Sequence, residues 1–257
     1  MPLPRRAALF ACAALALVAS AAAWGRPKPQ PGGVSALGGY ALPSEIVAAS
    51  IGWGHLATAK GWWNAVRAFS TPDAQIVIGN GTQRAQLYAK GRAEPATLPH
   101  RRTHHVWMSC DGSIGAEEGL FDDGAAHGWY LTIWQHDAKK GEFKWLLDQT
   151  GTQGGGDDFD FIEGKVGDCV PRPRGAPAPV ALADGTGPIE IKPVSPGNAP
   201  SIVVKGETNA MADHLIGIAR DHTLSWATRF GDDGVRRTVV SLLMDGKKVE
   251  VLKREER

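Results

Sequence analysis

The stretch that most limits the possible folds is residues 104–149, HHVWMSCDGSIGAEEGLFDDGAAHGWYLTIWQHDAKKGEFKWLLDQ. Short runs alternate apolar and polar residues with a period of two and are separated by turn residues, which predicts antiparallel strands. In 104–110, Val106, Met108 and Cys110 share one face, and His105, Trp107 and Ser109 the other. Cys110-Asp111-Gly112 supplies the left-handed geometry of a tight turn. The run 113–121 follows, with Gly115 and Gly119 marking bends or close approach of another backbone. Runs 129–136 and 143–149 are the strongest strands, joined through a turn that holds Gly141. In the last, Phe143, Trp145, Leu147 and Gln149 form the predicted interior row, opposite Lys144, Leu146 and Asp148. Gln149 then ends a buried row, where a pocket wall would stop.

Ahead of this block, residues 1–23 read as a secretory signal. Arg5 and Arg6 form a charged start, an apolar run follows, and Ala21 to Ala23 make a small-residue cleavage site. The apolar run is too short to span a membrane. Cys12 comes too early in it for a lipoprotein signal, and the arginine pair lacks the rest of a twin-arginine motif. The expected location is the periplasm or beyond, after cleavage following Ala23. Loss of this segment leaves 26 basic against 27 acidic side chains. That near-neutral balance offers no electrostatic case for nucleic acid or for an anionic membrane. Two of the three cysteines remain, Cys110 and Cys169. In an oxidising compartment they are expected to pair, closing a loop of about 60 residues worth roughly 4 kcal/mol; two unpaired buried thiols are the alternative.

Residues 24–43 read as a flexible leader rich in Pro and Gly. Ser44 is a candidate helix N-cap, and apolar positions at helical spacing predict helices over roughly 44–59 and 61–69. Gly52 and Gly54 predict a kink around Trp53. A strand within 72–81, a short helix within 82–91 and a loop over 93–103 lead into the central sheet. Beyond it, 150–158 is a linker by composition, 159–169 holds a strand, and 170–188 is proline-rich and irregular. Runs 223–230, 235–244 and 248–253 predict a three-stranded meander. With few aromatic residues of its own, this β-rich region (159–257) is expected to lean on the first domain.

Two helices, a strand, a short helix and an antiparallel meander, in that order, resemble the nuclear transport factor 2-like (SnoaL-like, ketosteroid-isomerase-like) superfamily over residues 44–149. The resemblance rests on the spacing of DGSIGAEEG (111–119), YLTIWQHDAKKGEFKW (130–145) and LLDQ (146–149). HHVWMSCDG followed by KWLLDQ is also similar to exported bacterial members of unknown function with a β-rich C-terminal extension. The resemblance implies an α+β fold, with a cone-shaped, curved antiparallel sheet closed by the N-terminal helices around a pocket. In this chain the candidates for that pocket are Trp53, Tyr88, His105, Glu117, Glu118, Tyr130, Trp134 and Gln149. Relatives often carry a histidine near the end of the last strand. Gln149 stands at the matching position, and an amide is neither an acid nor a base at neutral pH.

Glu117 and Glu118 are adjacent on a predicted strand, so one should face inward and the other outward. An inward, desolvated glutamate could serve as a general base, whereas a solvated pair at the strand edge would be inert. His100, His104 and His105 supply imidazoles, but neighbours on a strand point to opposite faces and no second cluster completes a metal site. The acidic run 157–161 lacks the glycine and terminal glutamate of a calcium loop, and 154–158 lacks the lysine of a phosphate loop. No nucleophile elbow is present. The expectation is therefore an exported protein without cofactor or metal that binds a small apolar ligand or a protein partner through an aromatic-lined cone. Two alternatives stand beside it. One is an isomerase, dehydratase or hydrolase using Glu117 or Glu118 as base with Tyr130 as donor. The other is a structural module that homodimerises through an aromatic sheet face.

Overall fold

Burial on both faces distinguishes the central strands from the one-sided sheet that alternation alone suggests. The computed structural model describes residues 41–79, 81–152, 161–169, 203–205 and 214–257. The signal segment, the leader as far as residue 40 and the proline-rich run 170–188 lie outside the described residues, as does most of the 150–158 linker. The fold is α+β, mostly strand, with few helices and two sheets.

Helix α1 is Pro43–Lys60 and α2 is Trp62–Phe69. Pro43 opens α1, and Leu42, not Ser44, is its N-cap. Proline suits that place because its fixed φ is already helical and its missing N–H is one the first turn leaves unpaired anyway. The expected kink at Gly52 does not divide α1; instead a Cβ at Gly52 would lie 3.3 Å from the Phe69 ring, so this glycine lets α2 fold back closely. Strands β1 (Ser70–Ile78) and β2 (Gly81–Arg84) pair antiparallel, and α3 (Ala85–Tyr88) is a single turn.

The meander consists of β3 (His100–Met108), β4 (Ile114–Asp122), β5 (His127–Asp137) and β6 (Glu142–Gly151). With β7 (Glu163–Val166) it builds a seven-stranded sheet in the order β2-β1-β6-β5-β4-β3-β7. β1 joins β6 in parallel, and β7 joins β3 in parallel. The second sheet is β12-β11-β10-β9-β8, from β8 (Val203–Lys205), β9 (His214–Ile218), β10 (Leu224–Phe230), β11 (Arg236–Met244) and β12 (Lys247–Glu256), all antiparallel.

Three layers result. On one face of the first sheet, Ile46, Trp53, Ala57, Ala65 and Val66 of the helices pack with Val106, Met108, Trp134, Phe143 and Trp145. On the other, Trp107, Ile114, Trp129, Leu131, Ile133 and Leu147 share a core with Leu215, Leu224, Trp226, Val240 and Leu242 of the second sheet. The aromatic face that could have awaited a second copy is thus covered by the chain's own C-terminal strands.

Within the meander, two irregularities reset the alternation. Register shifts between Thr103 and His105 on β3, and on β6 Leu147 pairs with Ile133 while Trp145 pairs with Trp134. Each inserts one extra residue, His104 and Leu146, which reverses the faces of everything beyond it. The disulfide Cys110–Cys169 is formed, with an S–S distance of 2.02 Å, and ties the β3–β4 turn to the chain just after β7.

Candidate functional site

The helix-lined face of the first sheet carries a buried polar network amid four tryptophans. Glu117, in the middle of β4, is 0% exposed. Its Oε1 accepts hydrogen bonds from Thr103 Oγ1 (2.6 Å) and the Tyr130 hydroxyl (2.9 Å), and its Oε2 accepts one from Trp134 Nε1 (2.8 Å). Beside it, Arg101 donates from Nη1 and Nη2 to the two oxygens of Asp148, each at 2.8 Å, and Thr132 Oγ1 donates to Asp148 at 2.8 Å. The Arg101 guanidinium lies 4.6 Å from the Trp53 ring, 5.5 Å from Trp62 and 4.8 Å from Tyr130, within cation–π range of all three.

Electrostatics follow from this packing. Burial, then the nearby Glu117 carboxylate, pushes the Tyr130 hydroxyl well above its ordinary pKa of 10.0. Burial works against the Arg101 charge, but Asp148, with Tyr130 and Glu117, outweighs it, so the Arg101 pKa is raised. Both carboxylates on this face thus have their oxygens engaged by donors within the protein. Two donors on the same face do not: Trp53, 2% exposed, stacks between Trp62 (5.2 Å) and Trp145 (5.7 Å), yet its Nε1 and that of Trp145 are buried without an acceptor.

The opposite face holds a different set. Glu118, expected outside if Glu117 is inside, is only 3% exposed because the second sheet covers it. Its Oε2 meets His105 Nδ1 at 3.0 Å, and its Oε1 accepts from Arg254 of β12. His105 also reaches Glu163 of β7, 3.6 Å away, and stacks on Trp107. Gln149, expected to end the helix-facing row, is turned the other way by the extra residue Leu146. It donates to Thr228 (3.4 Å) and Thr238 (3.1 Å) of the second sheet. Asp148 takes the helix-facing place instead.

Of the sequence-derived candidates, Trp53, Glu117, Tyr130 and Trp134 come together on the helix-lined face. His105, Glu118 and Gln149 lie between the sheets, where no helix reaches. Tyr88 stands apart on α3, with the Arg92 guanidinium 3.6 Å over its ring and Trp63 edge-on at 5.5 Å. Sequence reasoning missed Arg101, Thr103, Thr132 and Asp148. Arg101 and Thr103 fell in a segment read as loop, although their spacing of two, continued backwards from the strand, placed both on one face.

No protein-family model matches the chain, and no curated protein matches it. Among solved structures there is a weak likeness to a crystal structure described as "a putative ketosteroid isomerase" from Shewanella frigidimarina NCIMB 400. The TM-score is 0.31 and the identity 18%, over 39% of this chain and 90% of that one.

Proposed function

We propose that this is an exported binding protein whose helix-lined sheet face holds a small, largely apolar molecule carrying a hydrogen-bond acceptor, without transforming it. One observation carries the reading. Among aromatic rings, the indole N–H groups of Trp53 and Trp145 are buried with no acceptor, while the carboxylates beside them are fully engaged. A buried donor left unpaired costs roughly 1–3 kcal/mol, which an incoming acceptor recovers. A catalytic Glu117 would first have to release one of its three donors, which argues for binding over proton abstraction.

The test is native mass spectrometry of the purified protein before and after denaturation, paired with Trp53→Phe. A co-purifying molecule lost on unfolding is expected. The variant keeps an aromatic ring but removes the donor, so it should hold that molecule about tenfold more weakly. An empty protein, or undiminished retention by Trp53→Phe, would sink the reading. Export is checked separately by the mass of the N-terminal peptide, expected to begin at Trp24.

A further inference from the structure

Apart from the helix-lined face, the two sheets leave a crevice where they meet at one end. It measures about 290 Å³ and is lined by Gly79, Thr150, Gly151, Thr152, Arg236, Glu256 and Arg257. The Arg236 side chain forms its inner wall and is 3% exposed as a residue. Its Nη1 donates to the Gly79 carbonyl (3.1 Å) and its Nη2 to the Thr150 carbonyl (2.5 Å), while Nε is buried without a partner. Carbonyls satisfy donors but do not neutralise a cation, and among the described residues no carboxylate pairs with this guanidinium. Glu256 acts on it only at longer range, since its Oε1 is held by the Thr152 amide (3.0 Å) and hydroxyl (3.1 Å).

Burial without an ion pair is unfavourable for arginine, and here it lowers the Arg236 pKa, partly offset by Glu256. Five N–H donors in a fixed fork match a planar or tetrahedral oxyanion, and two of the guanidinium's donors are already fixed by carbonyls, which pre-orients the rest. Arg257 adds a second positive charge at the crevice. Gly151 lacks the Cβ that would run into the Trp129 indole and Glu256, so the wall here is plain backbone. The geometry points to a binding site for a small oxyanion, a carboxylate or phosphate group, seated against Arg236 in this crevice. At about 290 Å³ the crevice is at the lower edge of small-molecule pockets, with room for such a group and part of the molecule that carries it.

The Trp129 indole lies directly behind Gly151, with Arg236 5.6 Å from its ring, and so reports on the site. The full-length chain, labelled with 15N-tryptophan, is titrated with sodium acetate and with inorganic phosphate against sodium chloride at matched ionic strength. A saturable shift of the Trp129 indole resonance with acetate or phosphate, and none with chloride, is the expected result. The stronger of the two responses assigns a carboxylate or a phosphoryl ligand. Arg236→Gln should weaken binding more than about tenfold. Because that change also removes a clamp on two carbonyls, Arg257→Gln, which leaves the clamp intact, supplies the second variant and should weaken binding about threefold. No saturable shift, an equal shift with chloride, or unchanged affinity in Arg257→Gln would overturn the proposal.

Discussion

Glu117 shows how a single carboxylate can organise its surroundings: three donors from its two neighbouring strands, Thr103 of β3 with Tyr130 and Trp134 of β5, converge on it. Glu117→Gln would keep the volume but turn an amide N–H₂ toward an incoming donor. It should lose about 2–3 kcal/mol in denaturant unfolding. Tyr130 makes the same network sensitive to alkali. Its folded-state pKa lies well above 10.0, whereas in the unfolded chain it returns to that value. The folded state therefore holds this proton more tightly, and the resulting stability is complete below about pH 10 and is lost as pH rises above it. Tyrosinate absorbance from Tyr130 should appear only together with unfolding, and Tyr130→Phe should flatten the alkaline decline in stability.

At the scale of elements, two glycines of α1 have opposite reasons to exist. Nothing lies within 4 Å of a Cβ placed at Gly54, whereas one at Gly52 presses on the Phe69 ring at 3.3 Å. Gly54→Ala should raise stability by about 0.5–1 kcal/mol in thermal unfolding, and Gly52→Ala should gain less or lose. The crosslink from the β3–β4 turn to the end of β7 spans 59 positions in sequence. Replacing both cysteines by serine should cost about 2–4 kcal/mol. The helices and the four meander strands were readable from periodicity, because long amphipathic runs carry a strong signal. The facing of the candidate residues was readable only up to each bulge. His104 and Leu146 sit inside His-His and Leu-Leu pairs, where either member could be the inserted one, so the phase of Asp148 and Gln149 came out reversed. Strand β9 was not legible either: Gly217 breaks its short apolar run, and the reason, a Trp226 indole packed where its Cβ would be, lies on another strand.

For the molecule as a whole, the shared core between the sheets decides how it unfolds. Trp107, Trp129, Leu131 and Leu147 find their cover in Leu215, Trp226 and Val240, and Gln149 finds its partners in Thr228 and Thr238. Neither sheet can lose the other without exposing a large apolar face. Far-ultraviolet circular dichroism and tryptophan fluorescence should follow one coincident transition, and a chain cut after Gly167 should be insoluble or molten. The adjacency of Glu117 and Glu118 adds a constraint of another kind. Each carboxylate is keyed to a different layer, one to Tyr130, Thr103 and Trp134, the other to His105 and Arg254. A slip of β4 by one position would set one glutamate in the place of the other but leave its neighbour a buried charge without its donors, so this pair penalises mispaired registers that hydrophobic strands buried on both faces would otherwise tolerate. Neutralising both together, as Glu117→Gln with Glu118→Gln, should remove that penalty and leave a chain that still collapses but settles into more than one pairing, which would show as doubled backbone amide resonances for β4.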